Sequence, residues 1–164
     1  MTRLYLLRHA KARWAEPGSR DYDRALDPSG HEDAVRLGAA MVAAGYLPDT
    51  VLCSGARRAR ETWGAVSRAL PVADVRFVDS LYSSDAGGYL DLVRTAGADG
   101  SVLVVGHNPM MEDLATALSR AGDDRALAAV AHGFPTCGLA VLRFPGPLAA
   151  IEPEGAYLEA FVSP

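Results

Sequence analysis

Ser101-Val102-Leu103-Val104-Val105 is an unbroken, β-branched run that is too short for a helix. As a strand it has no polar face to turn toward water, so it must be covered on both sides. Leu4-Tyr5-Leu6-Leu7, Val51-Leu52-Cys53 and Val75-Arg76-Phe77-Val78 read as further short strands. Between them lie segments with helical spacing, and that alternation predicts an α/β layered fold.

The helices have recognisable ends. Ser29-Gly30-His31-Glu32 fits a capping box with Ser29 as N-cap, and Ala34, Val35, Leu37, Gly38, Met41 and Val42 mark the apolar face that follows, up to a stop at Gly45. The next helix is expected over 57–70, closed by Pro71, and another over 86–96. Asn108 can cap a further helix with Pro109 at its first position; that helix turns Met111, Leu114, Ala115 and Leu118 inward. Leu139–Phe144 and Ala156–Val162 read as late strands, the second at a sheet edge. The segment from Ala12 to Pro28, broken by Pro17 and Gly18, reads as a loop.

A chain of 164 residues is expected to form a single domain, residues 1–164. It can bury enough surface to need no disulfide or metal staple. Cys53 and Cys137 are too few for a zinc site and sit in apolar runs, which suits buried free thiols. The four histidines are not at metal-ligand spacing, so no catalytic metal and no cofactor are expected. His31 reads as solvated and His132 as a loop residue. A net charge of −4 gives no general attraction to nucleic acid or an anionic membrane. No apolar run approaches the roughly 20 residues of a membrane span, and the N-terminal apolar stretch is too short for a signal peptide. A cytoplasmic location is the default expectation.

Chemistry concentrates at three strand ends: Arg8-His9, Ser54 to Thr62, and Gly106-His107. In open α/β sheets ligands bind beyond the carboxyl ends of the strands. If these strands are parallel neighbours, two His and at least two Arg meet in one cleft at which helix N-termini point. Arg forks grip phosphate oxygens, helix N-termini add N–H donors, and a neutral imidazole is a nucleophile suited to phosphorus. Each piece alone admits a bland reading. Arg8-His9 could be a surface turn, Arg57, Arg58 and Arg60 a solvated helix face, and Gly106-His107-Asn108-Pro109 a capped turn. Their joint occurrence at three strand ends is harder to assign to chance.

Leu6-Leu7-Arg8-His9-Ala10 resembles the R-H-G/A signature of the histidine phosphatase superfamily, the phosphoglycerate mutase-like or branch 1 family. Ser54-Gly55-Ala56-Arg57-Arg58-Ala59-Arg60-Glu61-Thr62 resembles that family's S-x-x-x-R-A-x-x-T segment, and Val104-Val105-Gly106-His107 its G-H element. Within the family the short chain, the Ala-Lys after His9, Asp23-Arg24-Ala25-Leu26 and Phe134-Pro135-Thr136 are most similar to the SixA-like phosphohistidine phosphatases; Ala25 and Cys137 depart from their pattern. The resemblance implies a three-layer α/β/α sandwich with a mostly parallel central sheet. It implies His9 as a nucleophile that becomes phosphorylated, with Arg8, Arg58 and His107 binding the phosphoryl group. Arg24 is a further candidate for that pocket, and Lys11 lies at its rim or on solvated surface.

Larger members of the family supply an acid after the third strand. Here that stretch is Leu81-Tyr82-Ser83-Ser84-Asp85, with Ser83 where Glu is expected. Asp85 is the one nearby carboxylate, and its place before Ala86 favours a helix cap. An alkoxide leaving group needs a positioned acid, worth roughly 10²–10⁴-fold, whereas the imidazole of a phosphohistidine needs far less help. The expected function is a metal-independent phosphatase acting on a protein phosphohistidine through phospho-His9, so the expected partner is a His-phosphorylated domain. Two alternatives stand: a phosphatase for small phosphomonoesters with Asp85 as acid, and a non-catalytic module that binds a phosphorylated protein. A plain nucleotide-binding domain is least favoured, since neither G-x-x-x-x-G-K-S/T nor G-x-G-x-x-G occurs.

Overall fold

The computed structural model describes residues 1–164 apart from the side chain of Asp99. The chain runs β1 (Thr2–Arg8), α1 (Pro28–Ala44), β2 (Thr50–Ser54), α2 (Arg57–Val66), β3 (Asp74–Val78), α3 (Ser80–Ser83), α4 (Ala86–Ala96), β4 (Val102–Gly106), α5 (Met110–Leu118), β5 (Ser119–Gly122), α6 (Asp124–Ala131), β6 (Leu139–Phe144) and β7 (Ala156–Val162). One seven-stranded sheet has the order β3-β2-β4-β1-β6-β7-β5. Four of its six strand pairings are parallel and the two involving β6 are antiparallel.

The unbroken apolar runs are explained by two cores, one on each face. Successive side chains on a strand point to opposite faces. Tyr5, Leu7, Val51, Cys53, Leu103 and Val105 pack against Ala34, Leu37 and Met41 of α1 and Trp63 and Val66 of α2. Leu4, Leu6, Leu52, Val102 and Val104 pack on the other side against Leu81, Tyr89, Val93, Met111 and Leu114. The expected three layers follow. Fully burying one such side chain contributes about 1.5–3 kcal/mol; because both faces are apolar, a one-residue slip of β1 or β4 would keep most of that burial but exchange every partner.

Several element details differ from expectation. Asp27, not Ser29, caps α1: its carboxylate accepts the Gly30 N–H at 2.7 Å, and Pro28 takes the first helical position. Ser29 instead donates its hydroxyl to Asp27. Gly45 ends α1 in the left-handed region at φ 75° as expected. The second helix ends at Val66 rather than Leu70, continuing as turns in which Ser67 Oγ donates to the Gly64 carbonyl. Ala156–Val162 is not an edge strand, because Ser119–Gly122 pairs with its outer side. Asp124–Ala131 is an additional helix that the sequence pattern did not mark, and exposed His132 caps its end. Cys53 and Cys137 are buried free thiols, and burial pushes both up to about 12. Among the described residues no helix is long and apolar enough to cross a membrane.

The two helices of one layer approach closely because Gly38 of α1 lacks a side chain. A Cβ there would collide with the Val66 backbone carbonyl of α2. Backbone cannot swing aside as a flexible side chain can. Gly38→Ala is therefore expected to destabilise the fold by about 1–3 kcal/mol. The check is a lower urea midpoint at unchanged m-value.

Candidate active site

The register of the sheet brings the three chemical strand ends together. Arg8 of β1 pairs with Gly106 of β4, and Cys53 of β2 with Val105 of β4. Parallel pairing then sets Arg8-His9, Ser54 and Gly106-His107 along one edge. Antiparallel β6 begins at that same edge, since Leu7 pairs with Leu139. The turn before β6 is laced to the end of β1. Cys137 N–H donates to the Arg8 and His9 carbonyls at 3.0 and 3.1 Å, and Arg8 N–H donates to Gly138 at 3.1 Å. Cys137 adopts φ 60° to do this, a conformation that L side chains seldom take.

Ser54, Arg58, Glu61 and Thr62 each have an identifiable partner. Ser54 Oγ accepts the Ala56 N–H at 3.2 Å and lies 2.8 Å from His107 Nε2. Arg58, in the first turn of α2, donates from Nε to His9 Nε2 at 3.3 Å. Thr62 donates to the Arg58 carbonyl and accepts the Ala10 N–H at 2.9 Å, which ties the chain after His9 to α2. Glu61 accepts the Leu26 N–H at 3.0 Å and anchors the long loop before α1. On the other side, His107 N–H donates to the Tyr89 hydroxyl at 3.2 Å.

The His9 tautomer follows from its neighbours. Nδ1 lies 2.7 Å from the Ala10 carbonyl, which can only accept, so Nδ1 carries the hydrogen. Nε2 then carries the lone pair, which accepts the hydrogen bond from Arg58. His9 is 8 % exposed and His107 5 %. Burial is the main cause that lowers the His9 pKa to about 3, with His107, Arg58 and Arg8 adding to it and the Ala10 hydrogen bond opposing. Burial and then Arg58 bring His107 down to about 4. Both imidazoles are neutral at pH 7. The rings lie 5.3 Å apart between centroids.

Arg8, His9, Arg24, Arg58 and His107 line one cavity of about 380 Å³. All five residues singled out in the sequence thus meet. Arg8 donates from one terminal nitrogen to the Phe134 carbonyl at 2.8 Å; its Nε is buried without a partner, as is His107 Nδ1. Arg24 donates from Nε to the Arg13 carbonyl at 2.8 Å and pairs with Asp21 at 3.1 Å. Lys11 lines the same mouth and is exposed. Asp85 is not at the cavity. It caps α4, accepting the Gly88 N–H at 2.8 Å. Among the described residues no three His, Cys, Asp or Glu side chains group as metal ligands.

Two participants were missed in the sequence. Asp21, whose side chain is half exposed, adjoins the arginines, and its Oδ2 accepts from Arg58 at 3.1 Å and from the Tyr82 hydroxyl at 2.8 Å. Its backbone carbonyl accepts a second Arg58 nitrogen at 2.9 Å. Burial opposes ionisation of Asp21, and the hydrogen bonds from Tyr82, Arg24 and Arg58 outweigh it, holding the carboxyl at about 2. Tyr82 stands edge-on to His107 at 5.6 Å, with the Arg58 guanidinium 5.8 Å from its ring centre. Nothing in the loop pattern around Asp21 announces that role.

An unprotonated ring nitrogen, converging guanidinium groups and a buried ring suit nucleophilic attack on an anionic, tetrahedral centre. Residues 4–92 match the histidine phosphatase superfamily (branch 1). The chain belongs to this superfamily. An uncharacterized protein of Mycobacterium tuberculosis is 37% identical over 161 residues, covering 96% of this chain and 99% of the relative. Among solved structures, a candidate phosphohistidine phosphatase SixA from Agrobacterium tumefaciens is 40% identical, with a TM-score of 0.84 over 99% of each chain. A second candidate SixA, from Nakamurella multipartitia, is 33% identical with a TM-score of 0.83, over 99% of this chain and 96% of that one. A histidine-phosphatase-type function and the α/β fold of the superfamily are thereby shown for the chain.

The two neutral histidines make stability depend on pH. Free imidazole titrates near 6.5, but His9 and His107 stay neutral in the folded protein down to about 3 and 4. Between those values the unfolded chain binds more protons, so stability falls as pH falls. The slope is about 1.4 kcal/mol per pH unit for each histidine. His107→Gln is expected to flatten the dependence between pH 6 and 4.5 in urea titrations; equal slopes in the two proteins would contradict it. Removing Asp21 tests the Arg58 anchor. Hydrogen bonds to charged groups contribute about 1.5–3 kcal/mol, so Asp21→Ala is expected to lower kcat/KM for phosphate release roughly 10–100-fold. Asp21→Asn keeps an acceptor oxygen and should recover most of it.

Proposed function

We propose that this chain is a single-domain, metal-independent protein phosphohistidine phosphatase that works through a phosphohistidine intermediate on His9. The observation that carries the substrate assignment is the cavity wall. It holds two histidines and several cations, and among its described residues no carboxylate. Asp85 is spent on a helix cap. Asp21 is held ionised by Arg24 and Arg58 and does not line that wall. Neither can hand a proton to a leaving alkoxide near neutral pH. A phosphoramidate has no such need, because imidazole leaves readily once its ring is protonated by water.

In this reading Arg8, Arg58 and His107 hold the phosphoryl oxygens, and Arg24 adds charge at the outer wall. His9 Nε2 attacks phosphorus while the bond from phosphorus to the substrate imidazole breaks. The imidazole departs on the side opposite His9. Water then attacks phospho-His9, releasing inorganic phosphate and restoring the neutral ring. The hydrogen bond from His9 Nδ1 to the Ala10 carbonyl supports both steps. It fixes the tautomer and eases the positive charge that forms on the ring when Nε2 bonds to phosphorus. The buried Arg8 Nε and His107 Nδ1, which lack protein partners, are suited to meet phosphoryl oxygens. The partner is a protein phosphorylated on histidine.

The test is phosphate release in EDTA from a protein phosphorylated on histidine, beside a phosphoserine peptide. Release from phosphohistidine is expected to be faster by at least about 10²-fold, the contribution of an absent general acid. His9→Ala should abolish it. Comparable rates on both substrates would overturn the assignment and point to a proton donor in the cavity. Tight binding without release would favour a binding module.

A further inference from the structure

Trp14 is 91 % exposed, the most solvent-open large apolar side chain of the described residues. An indole left in water is informative where a scattered Leu is not. It sits in the loop between β1 and α1, and that loop is fixed around it. Ala12 forms an antiparallel bridge with Leu26. Arg13 N–H donates to the Ala25 carbonyl at 2.8 Å, and Asp27 N–H to Lys11 at 3.0 Å. Arg24 donates to the Arg13 carbonyl, and its guanidinium lies 5.9 Å from the indole centre. Lys11, Ala12 and Arg13 before Trp14 are bonded into a neck, and the ring stands outward in solvent.

The indole also stands at the mouth of the cavity that contains His9 and Arg58. A ligand small enough to sit inside that cavity can touch one side of the ring but cannot cover it. Only a body broader than the cavity can. We propose that Trp14 is the docking anchor for the folded protein that carries the phosphohistidine, receiving an apolar patch next to that histidine. The inference rests on the phosphohistidine reading of the site and names the part of the substrate that lies outside the cavity. A rigidly presented Trp is a favoured hot-spot residue because little side-chain freedom is lost when it is covered. Exposed Lys11 and Arg13 beside it suit an acidic border on the partner.

The experiment compares wild type and Trp14→Ala on two substrates: a protein phosphorylated on histidine with phosphoramidate, and N-phosphoimidazole. For the phosphoprotein, KM is expected to rise at least about tenfold with kcat nearly kept. For phosphoimidazole the two enzymes should differ less than about twofold. Equal losses on both substrates, or no loss on either, would overturn the proposal. A second readout uses His9→Ala, which cannot turn over. Trp63 is 6 % exposed, so acrylamide quenching reports Trp14. The phosphoprotein should protect it and phosphoimidazole should not. Protection that grows with enzyme concentration alone would mean a second copy covers Trp14, and would overturn the proposal. Failure of the wild type to release phosphate from either substrate would instead overturn the phosphohistidine reading.

Discussion

Arg58 is a guanidinium with only 7 % of its surface exposed, and a buried charge persists only when its donors are met. Asp21 meets two of its nitrogens and His9 the third. Much of the site follows from that requirement. The loop before α1 has to fold back over α2 to deliver Asp21. Tyr82 has to rise from α3 to complete the carboxylate, and in doing so it packs edge-on against His107. His9 has to keep Nε2 unprotonated, because a second proton there would face the guanidinium.

The same cations act twice. They help hold both imidazoles neutral, since a nearby positive charge disfavours imidazolium. They also attract a phosphoryl dianion. When the dianion arrives it offsets much of that positive charge, and the reason for His107 to refuse a proton weakens. An empty pocket therefore favours the nucleophilic form, and a loaded one tolerates charge on the rings. Asp21 moderates this balance from behind, raising the His107 pKa slightly while it offsets one of the arginines.

How much of this was readable in the sequence depends on the range of the forces involved. The central strands were plain, because β1, β2 and β4 are buried on both faces and carry no polar interruption. That Arg8, His9 and His107 close or follow such runs, with Arg58 just past the end of β2, was also visible; their convergence required the strands to be parallel neighbours, which the runs alone do not give. Ser119–Gly122 was not. Its residues are half-exposed or exposed and lack β-branched character, and it is a strand only because β7 offers an unpaired edge. Asp124–Ala131 buries only Ala126 and Val130, too little to print a periodic face. The α1 cap shifted from Ser29 to Asp27 because both side chains can accept, and Pro28 decides in favour of the residue before it. Asp21 was invisible for a different reason. Its partners Arg58 and Tyr82 lie 37 and 61 residues away, so only the folded chain brings its role into being.

The segment with the least secondary structure therefore carries the most varied work. Pro17 and Gly18 deny the 12–27 loop a regular backbone, and it is rigid only through its cross-links. Those cross-links run in a line: Trp14 against Arg24, Arg24 to Asp21, Asp21 to Arg58, Arg58 to His9. The outer end of the line faces solvent and the inner end faces His9. The bonds at the neck let the rim of such a loop take up a load without displacing the guanidinium that borders His9. That is a physical reason for it to be held by so many bonds at its neck, and for its outward face to be already shaped before a partner arrives.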